Sequence, residues 1–158
     1  MAGIHGSLTA PQMIPQALLI ALGAGFMEEY LFRGLLIKSV LKDKIRSFQQ
    51  VWGTVLLSSF FFGLTHLGNA LYQPLDATLF QVYYAMILGI LFAAITLRMG
   101  NLWWTIILHF LIDFASITIS QGTQAQAATS IWQFIIFLPI LLYSIFLLRP
   151  RKIAQMGI

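Results

Sequence analysis

The sequence predicts an all-α membrane protein, built as a polytopic bundle of about five transmembrane helices with a polar site at mid-membrane depth. Hydrophobic residues make up 59% of the chain and charged residues only 9%, whereas soluble domains carry about 25% charged residues. The 158 residues provide about five spans of roughly 20 residues each. Some ionisable residues nevertheless lie inside the apolar runs, and such residues mark functional sites in membrane proteins.

The predicted spans are five apolar runs, with one short segment on either side of them. The runs are 13–41, 51–67, 78–97, 102–120 and 131–148. We take them as a single transmembrane domain, 13–148, between an N-terminal segment, 1–12, and a basic cytoplasmic tail, 149–158. The third and fifth runs carry no charge, and Pro139, near the middle of the fifth run, predicts a kink in that helix.

The basic residues predict the orientation of the bundle. Eight of the nine Lys and Arg residues lie at or after the ends of the first, third and fifth runs: Lys38, Lys42, Lys44, Arg46, Arg98, Arg149, Arg151 and Lys152. The connecting segments 68–77 and 121–130 contain none. Because basic loops stay on the cytoplasmic side, we expect the N-terminus outside and the C-terminus inside. The net charge of +4 therefore reflects topology and does not indicate a nucleic-acid partner.

Six ionisable residues lie within the predicted spans: Glu28, Glu29, Arg33, His66, His109 and Asp113. A charged side chain at the centre of a bilayer costs roughly 2.5 to 3.5 kcal/mol on insertion scales, so six such residues need a reason. The rise of an α-helix places Glu28, His66, His109 and Asp113 in the middle portion of the bilayer, on three different helices. If these helices pack together, the four side chains can share one water-accessible cavity.

Helical spacing separates the six residues into two sets. Glu29 and Arg33 are four residues apart with the acid first, the favourable order for an ion pair, and we expect this pair to brace the helix. Neighbouring residues point about 100° apart, so Glu28 faces elsewhere and is the better candidate for chemistry. His109 and Asp113 are also four residues apart and share one face of their helix.

Small residues in the first span predict close helix packing. Ala17, Ala21 and Gly25 recur at a spacing of four, and such stripes let membrane helices approach one another closely. The stripe could therefore bring the Glu28 region close to a neighbouring helix.

Three motifs in order along the chain resemble the signatures of the CAAX protease and bacteriocin-processing family, also called the Abi family. Those signatures are E-E-x-x-x-R, F-x-x-x-H and H-x-x-x-N/D. Here they begin at Glu28, Phe62 and His109 and end at Arg33, His66 and Asp113. Each motif alone is weak, whereas the ordered set, with every motif inside a predicted span, is specific. The resemblance covers about 23–115.

The resemblance implies an intramembrane endopeptidase with defined residue roles. Glu28 would be the catalytic carboxylate and His66 its partner in activating water, while His109 and Asp113 would stabilise the oxyanion. Position 113 is Asp where the best-studied branch of the family has Asn. An ionised Asp113 would repel an oxyanion, so it would act either as a protonated donor or as the group that orients His109.

The sequence is consistent with both a metal-dependent and a metal-free site. Glu28, His66 and His109 are the two histidines and one carboxylate that catalytic zinc uses, with a fourth position left for water. A glutamate–histidine mechanism without metal uses the same residues. The leading interpretation requires no cofactor, because no short-range ligand pair such as H-E-x-x-H is present.

Three functions are consistent with these residues. The first is a membrane-embedded peptidase acting on a peptide or lipidated protein, as a multi-pass protein of a bacterial plasma membrane. The second is a bacteriocin self-immunity protein of the same family, catalytic or not. The third is a proton or cation carrier that uses Glu28, His66, His109 and Asp113 as a relay. Carriers are commonly built from inverted repeats, and five spans do not divide into matched halves.

Overall fold

The computed structural model describes residues 14–41, 47–120 and 131–154, which are helical and contain no β-strand. Their helices are α1 (Ile14–Glu29), α2 (Ile37–Leu41), α3 (Phe48–Thr65), α4 (Leu75–Met99), α5 (Trp103–Ser120), α6 (Ile131–Ile135), α7 (Leu138–Leu147) and α8 (Pro150–Ile153). A π-helical segment, Tyr30–Leu36, joins α1 to α2, and a 3-10 segment, His66–Leu71, follows α3. The all-α class is confirmed. The predicted N-terminal segment, the basic residues of 42–46, the connection 121–130 and the end of the tail lie outside the described residues.

Two helical segments are long and apolar enough to cross a membrane by length and composition. They are Phe48–Leu71 and Leu75–Met99. The helical stretches Trp103–Ile119 and Ile131–Leu147 are apolar but shorter. The number of five spans and the N-out orientation therefore stay predictions.

Two segments of the chain differ from the sequence prediction. The segment 68–77 is largely helical, because the 3-10 segment continues to Leu71 and α4 begins at Leu75, directly after Pro74. The last apolar run is divided into α6 and α7 by a turn at residues 136–137, with Pro139 in the first turn of α7. Proline lacks the N–H that a continuous helix would need at this position, so the break falls where the sequence predicts a kink.

The stripe of small residues lies in a close helix contact, and the helix packed against it is α5. Ala17, Ala21 and Gly25 are all buried, and α1 with α5 is one of the two most extensive helix pairs. A Cβ atom on Gly25 would lie 3.1 Å from the Phe110 nitrogen and 3.2 Å from the Ile106 oxygen. A side chain at this position would therefore require the two backbones to move apart, and glycine avoids that. The end of α1, with its two glutamates, is thereby held beside α5.

The other extensive pair is α3 with α4, and α7 packs on α4. A Cβ atom on Gly89 would lie 3.0 Å from the Ser59 Cα atom, so this pair also depends on a glycine at its contact. One apolar cluster joins α2, α3 and α4 to the end of α7 and to α8: Ile37, Leu41, Val51, Val55, Ala93, Ala94, Leu148 and Ile153. Arg98 Nη1 donates to the Lys152 carbonyl oxygen at 2.9 Å, so residues 149–154 are packed on the bundle.

Candidate active site

The predicted site residues come from three places in the bundle. Glu28 and Glu29 end α1, and Arg33 follows in the π-helical segment. His109 and Asp113 lie one turn apart on α5, which packs on α1. The contact between α1 and α5 therefore positions most of the site.

A buried ion pair forms the centre of the site. The Arg33 and Glu29 side chains are both completely buried, and Arg33 Nη1 donates to Glu29 Oε1 at 2.9 Å. Arg33 Nη2 donates to the Gly89 carbonyl oxygen at 3.2 Å, which connects the pair to α4. The guanidinium also lies 4.2 Å from the centre of the Phe62 ring, a cation–π contact. The intrahelical brace predicted from the sequence is present, and it also links neighbouring helices.

Glu29 additionally holds the ring of His109, which the sequence prediction missed. His109 Nδ1 lies 3.0 Å from Glu29 Oε1, the same oxygen that accepts from Arg33. Since a carboxylate accepts and the guanidinium donates, the bond assigns a proton to Nδ1. The sequence contains a signal for this contact: Glu29 continues the buried stripe of Ala17, Ala21 and Gly25 at the same spacing of four.

The other nitrogen of His109 faces two carboxylates. Nε2 lies 3.4 Å from Asp113 Oδ2 and 3.8 Å from Glu28 Oε2. The His109 side chain is 6% exposed, whereas Glu28 and Asp113 are 34% and 31% exposed. The Glu28 Oε2 atom is buried and has no hydrogen-bond partner among the described residues. The site therefore has a closed side, formed by the ion pair, and an accessible side, formed by Glu28 and Asp113.

His66 lies at the edge of this group and does not join it directly. Its Nδ1 lies 3.0 Å from the Phe62 carbonyl oxygen and 3.4 Å from Thr65 Oγ1. Among the ion pairs of the described residues, none joins His66 to Glu28, although the two interact electrostatically at longer range. The bond to a backbone carbonyl assigns a proton to Nδ1 and leaves Nε2 of a neutral ring as an acceptor.

Phe62 separates the two histidines. Its ring centre lies 5.3 Å from that of His66 and 5.7 Å from that of His109, both in edge-on geometry. The residue is 2% exposed, so it packs in the core. Its neighbours Phe60 and Phe61 are exposed on the bundle surface, as expected for side chains that face lipid.

The two-histidine, one-carboxylate zinc site is not assembled by these residues. No group of three or more His, Asp or Glu side chains within 14–41, 47–120 and 131–154 is arranged to hold a metal ion. Glu28 and His109 approach each other, whereas His66 is bound to its own helix. The set therefore does not fit a tetrahedral zinc centre in this conformation.

The fold and the site define an all-helical protein with two helices long and apolar enough to cross a membrane and with a carboxylate–histidine centre of the kind that hydrolases use. The family model for type II CAAX prenyl endopeptidase Rce1-like proteins matches residues 10–115, about two thirds of the chain. The chain belongs to this family, whose members are proteases and integral membrane proteins. The resemblance seen in the three motifs is thus confirmed. No curated protein and no solved structure matches the chain.

Proposed function

We propose that this chain is an intramembrane endopeptidase in which Glu28 activates a water molecule that attacks a peptide carbonyl. The observation that carries the proposal is the arrangement around His109. Glu29 holds one ring nitrogen at 3.0 Å, and the other nitrogen faces Glu28 and Asp113 on the accessible side. An oriented histidine beside a free carboxylate is the minimum that general acid–base hydrolysis needs.

Glu28 is the general base in this proposal. Its Oε2 atom has no hydrogen-bond partner among the described residues, and His109 Nε2 is 3.8 Å away, so Oε2 keeps its lone pairs for a proton from water. As the water oxygen bonds to the carbonyl carbon, Glu28 takes the proton and then delivers it to the leaving amine when the C–N bond breaks. His66 lies within electrostatic range, and its acceptor nitrogen, Nε2, supports the same proton transfer once the side chain turns towards the substrate.

His109 stabilises the oxyanion of the tetrahedral intermediate. Two ionised carboxylates, those of Glu29 and Glu28, lie 3.0 and 3.8 Å from its ring nitrogens, with one arginine to balance them. This excess of negative charge favours the imidazolium, whose Nε2–H points to the accessible side and can donate to the oxyanion. Because Glu29 already orients the ring, Asp113 is not needed as the orienting group, and we assign it the role of a protonated second donor.

The substrate class follows from the family and from the site's location. The family name specifies prenyl endopeptidases, and we infer a peptide or lipidated protein that reaches the site from the bilayer. In this mechanism Glu28 activates the water molecule without a metal ion.

Peptide cleavage in proteoliposomes tests the proposal. The purified chain is incubated with two matched peptides, one with and one without a prenylated cysteine, and products are identified by mass spectrometry. We expect Glu28→Gln to lose about 100- to 10,000-fold in rate, the usual contribution of a general base. Asp76→Asn, an acid exposed in the first turn of α4, is the matched control. Equal rates for Glu28→Gln and the parent chain would rule the mechanism out.

A further inference from the structure

A cavity of about 410 Å³ lies apart from the catalytic side of His109. One wall is formed by α1, the π-helical segment and α2, here together called the first helix, from Phe26 to Leu41. The other wall is formed by the end of α4, the turn at Gly100 and the start of α5 as far as Ile106. Glu28, His66 and Asp113 do not line it, so this cavity, here called the α4–α5 cavity, is a separate site.

The α4–α5 cavity is long and has mainly apolar walls. Ile37, Leu97 and Ile106 are among the side chains that line it. Its wall on the first helix extends from Phe26 to Lys38, roughly 18 Å along a helix axis at 1.5 Å per residue. A long slot with apolar walls suits an extended hydrocarbon chain better than a compact polar solute.

Most polar groups of the cavity wall are already bound within the protein. Arg33 uses both terminal nitrogens, on Glu29 and on the Gly89 carbonyl. Thr96 shares a hydrogen bond with Thr105 at 3.2 Å. The Asn101 side chain donates to the Met99 carbonyl and accepts from the Trp103 backbone N–H. Arg33 Nε is buried without a hydrogen-bond partner among the described residues, but both terminal nitrogens of this guanidinium are occupied and Glu29 neutralises it, so we place a ligand's polar end elsewhere.

The mouth of the cavity provides a binding site for the polar end of a ligand. Lys38 lines the cavity and is exposed, and among the described residues no carboxylate forms an ion pair with it. Trp103 also lines the cavity and is 64% exposed. Tryptophan and lysine together mark the level of lipid headgroups in membrane proteins. The cavity thus has a cationic, aromatic rim and an apolar interior.

We propose that the α4–α5 cavity binds one acyl chain of an anionic membrane lipid, with the lipid phosphate at Lys38. The hydrocarbon chain fills the slot between the first helix and the α4–α5 turn, and the headgroup lies beside Trp103. Lys38, which has no ion-pair partner among the described residues, selects a lipid with net negative charge over a zwitterionic lipid that has the same chains. This binding is independent of peptide hydrolysis, because the catalytic carboxylates lie outside the cavity.

Lipid retention measured by native mass spectrometry tests this assignment. The parent chain is released from nanodiscs that contain equal amounts of phosphatidylglycerol and phosphatidylcholine with identical oleoyl chains, and retained lipids are counted. We expect one retained phosphatidylglycerol and a preference of about fivefold, the contribution of one lysine near an anionic surface. Lys38→Gln should abolish the preference and Lys38→Arg should keep it. Arg151→Gln, which removes an exposed cation outside the cavity, should also keep it.

Soluble competitors identify the part of the lipid that is bound. Glycerophosphoglycerol, which has the headgroup without chains, should not displace the retained lipid. Three results would overturn the proposal: equal retention of the two lipids by the parent, an unchanged preference in Lys38→Gln, or full displacement by the chain-free headgroup. Displacement by a prenylated peptide would assign the cavity to substrate instead and would likewise overturn it.

Discussion

Replacing each of the two adjacent glutamates by alanine should have different effects: one replacement mainly lowers stability, and the other mainly removes activity. Glu29 is completely buried and accepts hydrogen bonds from Arg33 at 2.9 Å and from His109 at 3.0 Å. Glu28 is 34% exposed, and its nearest cation is 3.8 Å away. Glu29→Ala should therefore destabilise the bundle, whereas Glu28→Ala should leave the stability nearly unchanged and remove peptidase activity.

The size of the stability loss in Glu29→Ala follows from the Arg33 charge that remains buried. Without Glu29, the buried Arg33 guanidinium loses its counterion, and removing one partner of a buried ion pair costs about 3 to 5 kcal/mol. For a chain of this length the cost corresponds to an apparent Tm lowered by roughly 6 to 20 °C. The Tm of Glu29→Gln should lie between those of the parent chain and Glu29→Ala. Its amide oxygen can still accept both hydrogen bonds at the position of Oε1, although the charge is lost.

Thermal unfolding of the purified variants in one detergent measures this difference. The scan rate is kept constant, because unfolding of membrane proteins can be irreversible and the apparent Tm then depends on it. Equal Tm values for Glu29→Ala and Glu28→Ala would refute the assignment of Glu29 to the buried network. A Glu29→Gln variant as unstable as Glu29→Ala would show that the charge alone, and not the hydrogen bonds, determines the effect.

Three further substitutions test other parts of the site. Gly25→Val should separate α1 from α5 and reduce both Tm and peptide cleavage, whereas Gly23→Ala, with open space around its Cβ, should change neither. Asp113→Asn should keep at least the parent rate of cleavage because the amide donates to the oxyanion as the protonated carboxyl does and needs no added proton; a rate below that of Asp113→Ala would contradict this role. Phe62→Ala should cost about 3 to 5 kcal/mol of stability as a buried ring, and Phe61→Ala, which is 46% exposed, should cost far less in the same denaturation assay.

Residue spacing predicted the local features of the site. Positions four residues apart on a helix share a face, which was sufficient for the Glu29–Arg33 pair and for the proximity of His109 to Asp113. The small-residue stripe indicated a close helix contact on the same face. Both features depend on geometry within one helix, and a sequence specifies that geometry directly.

Contacts between helices were harder to predict. Nothing in the local sequence specifies that α5 is the helix on the stripe, so the bond from Glu29 to His109 was not foreseen. The π-helical segment after Glu29 also changes the direction of the side chains that follow it, which an ideal period of 3.6 does not anticipate. His66 was expected to share the site with Glu28, but its Nδ1 lies 3.0 Å from the Phe62 carbonyl oxygen, at the start of the 3-10 segment.

The two ring nitrogens of His109 provide the most direct test of the proposed site. Nitrogen-15 NMR of histidine-labelled protein in lipid bilayers reports which nitrogen carries a proton, and the His109→Asn variant identifies the signal. We expect a protonated Nδ1 that is hydrogen-bonded to a carboxylate in the parent chain and a changed Nδ1 signal in Glu29→Ala. An unprotonated Nδ1 in the parent chain would contradict the arrangement in which Glu29 holds the ring and turns Nε2 towards Glu28 and Asp113.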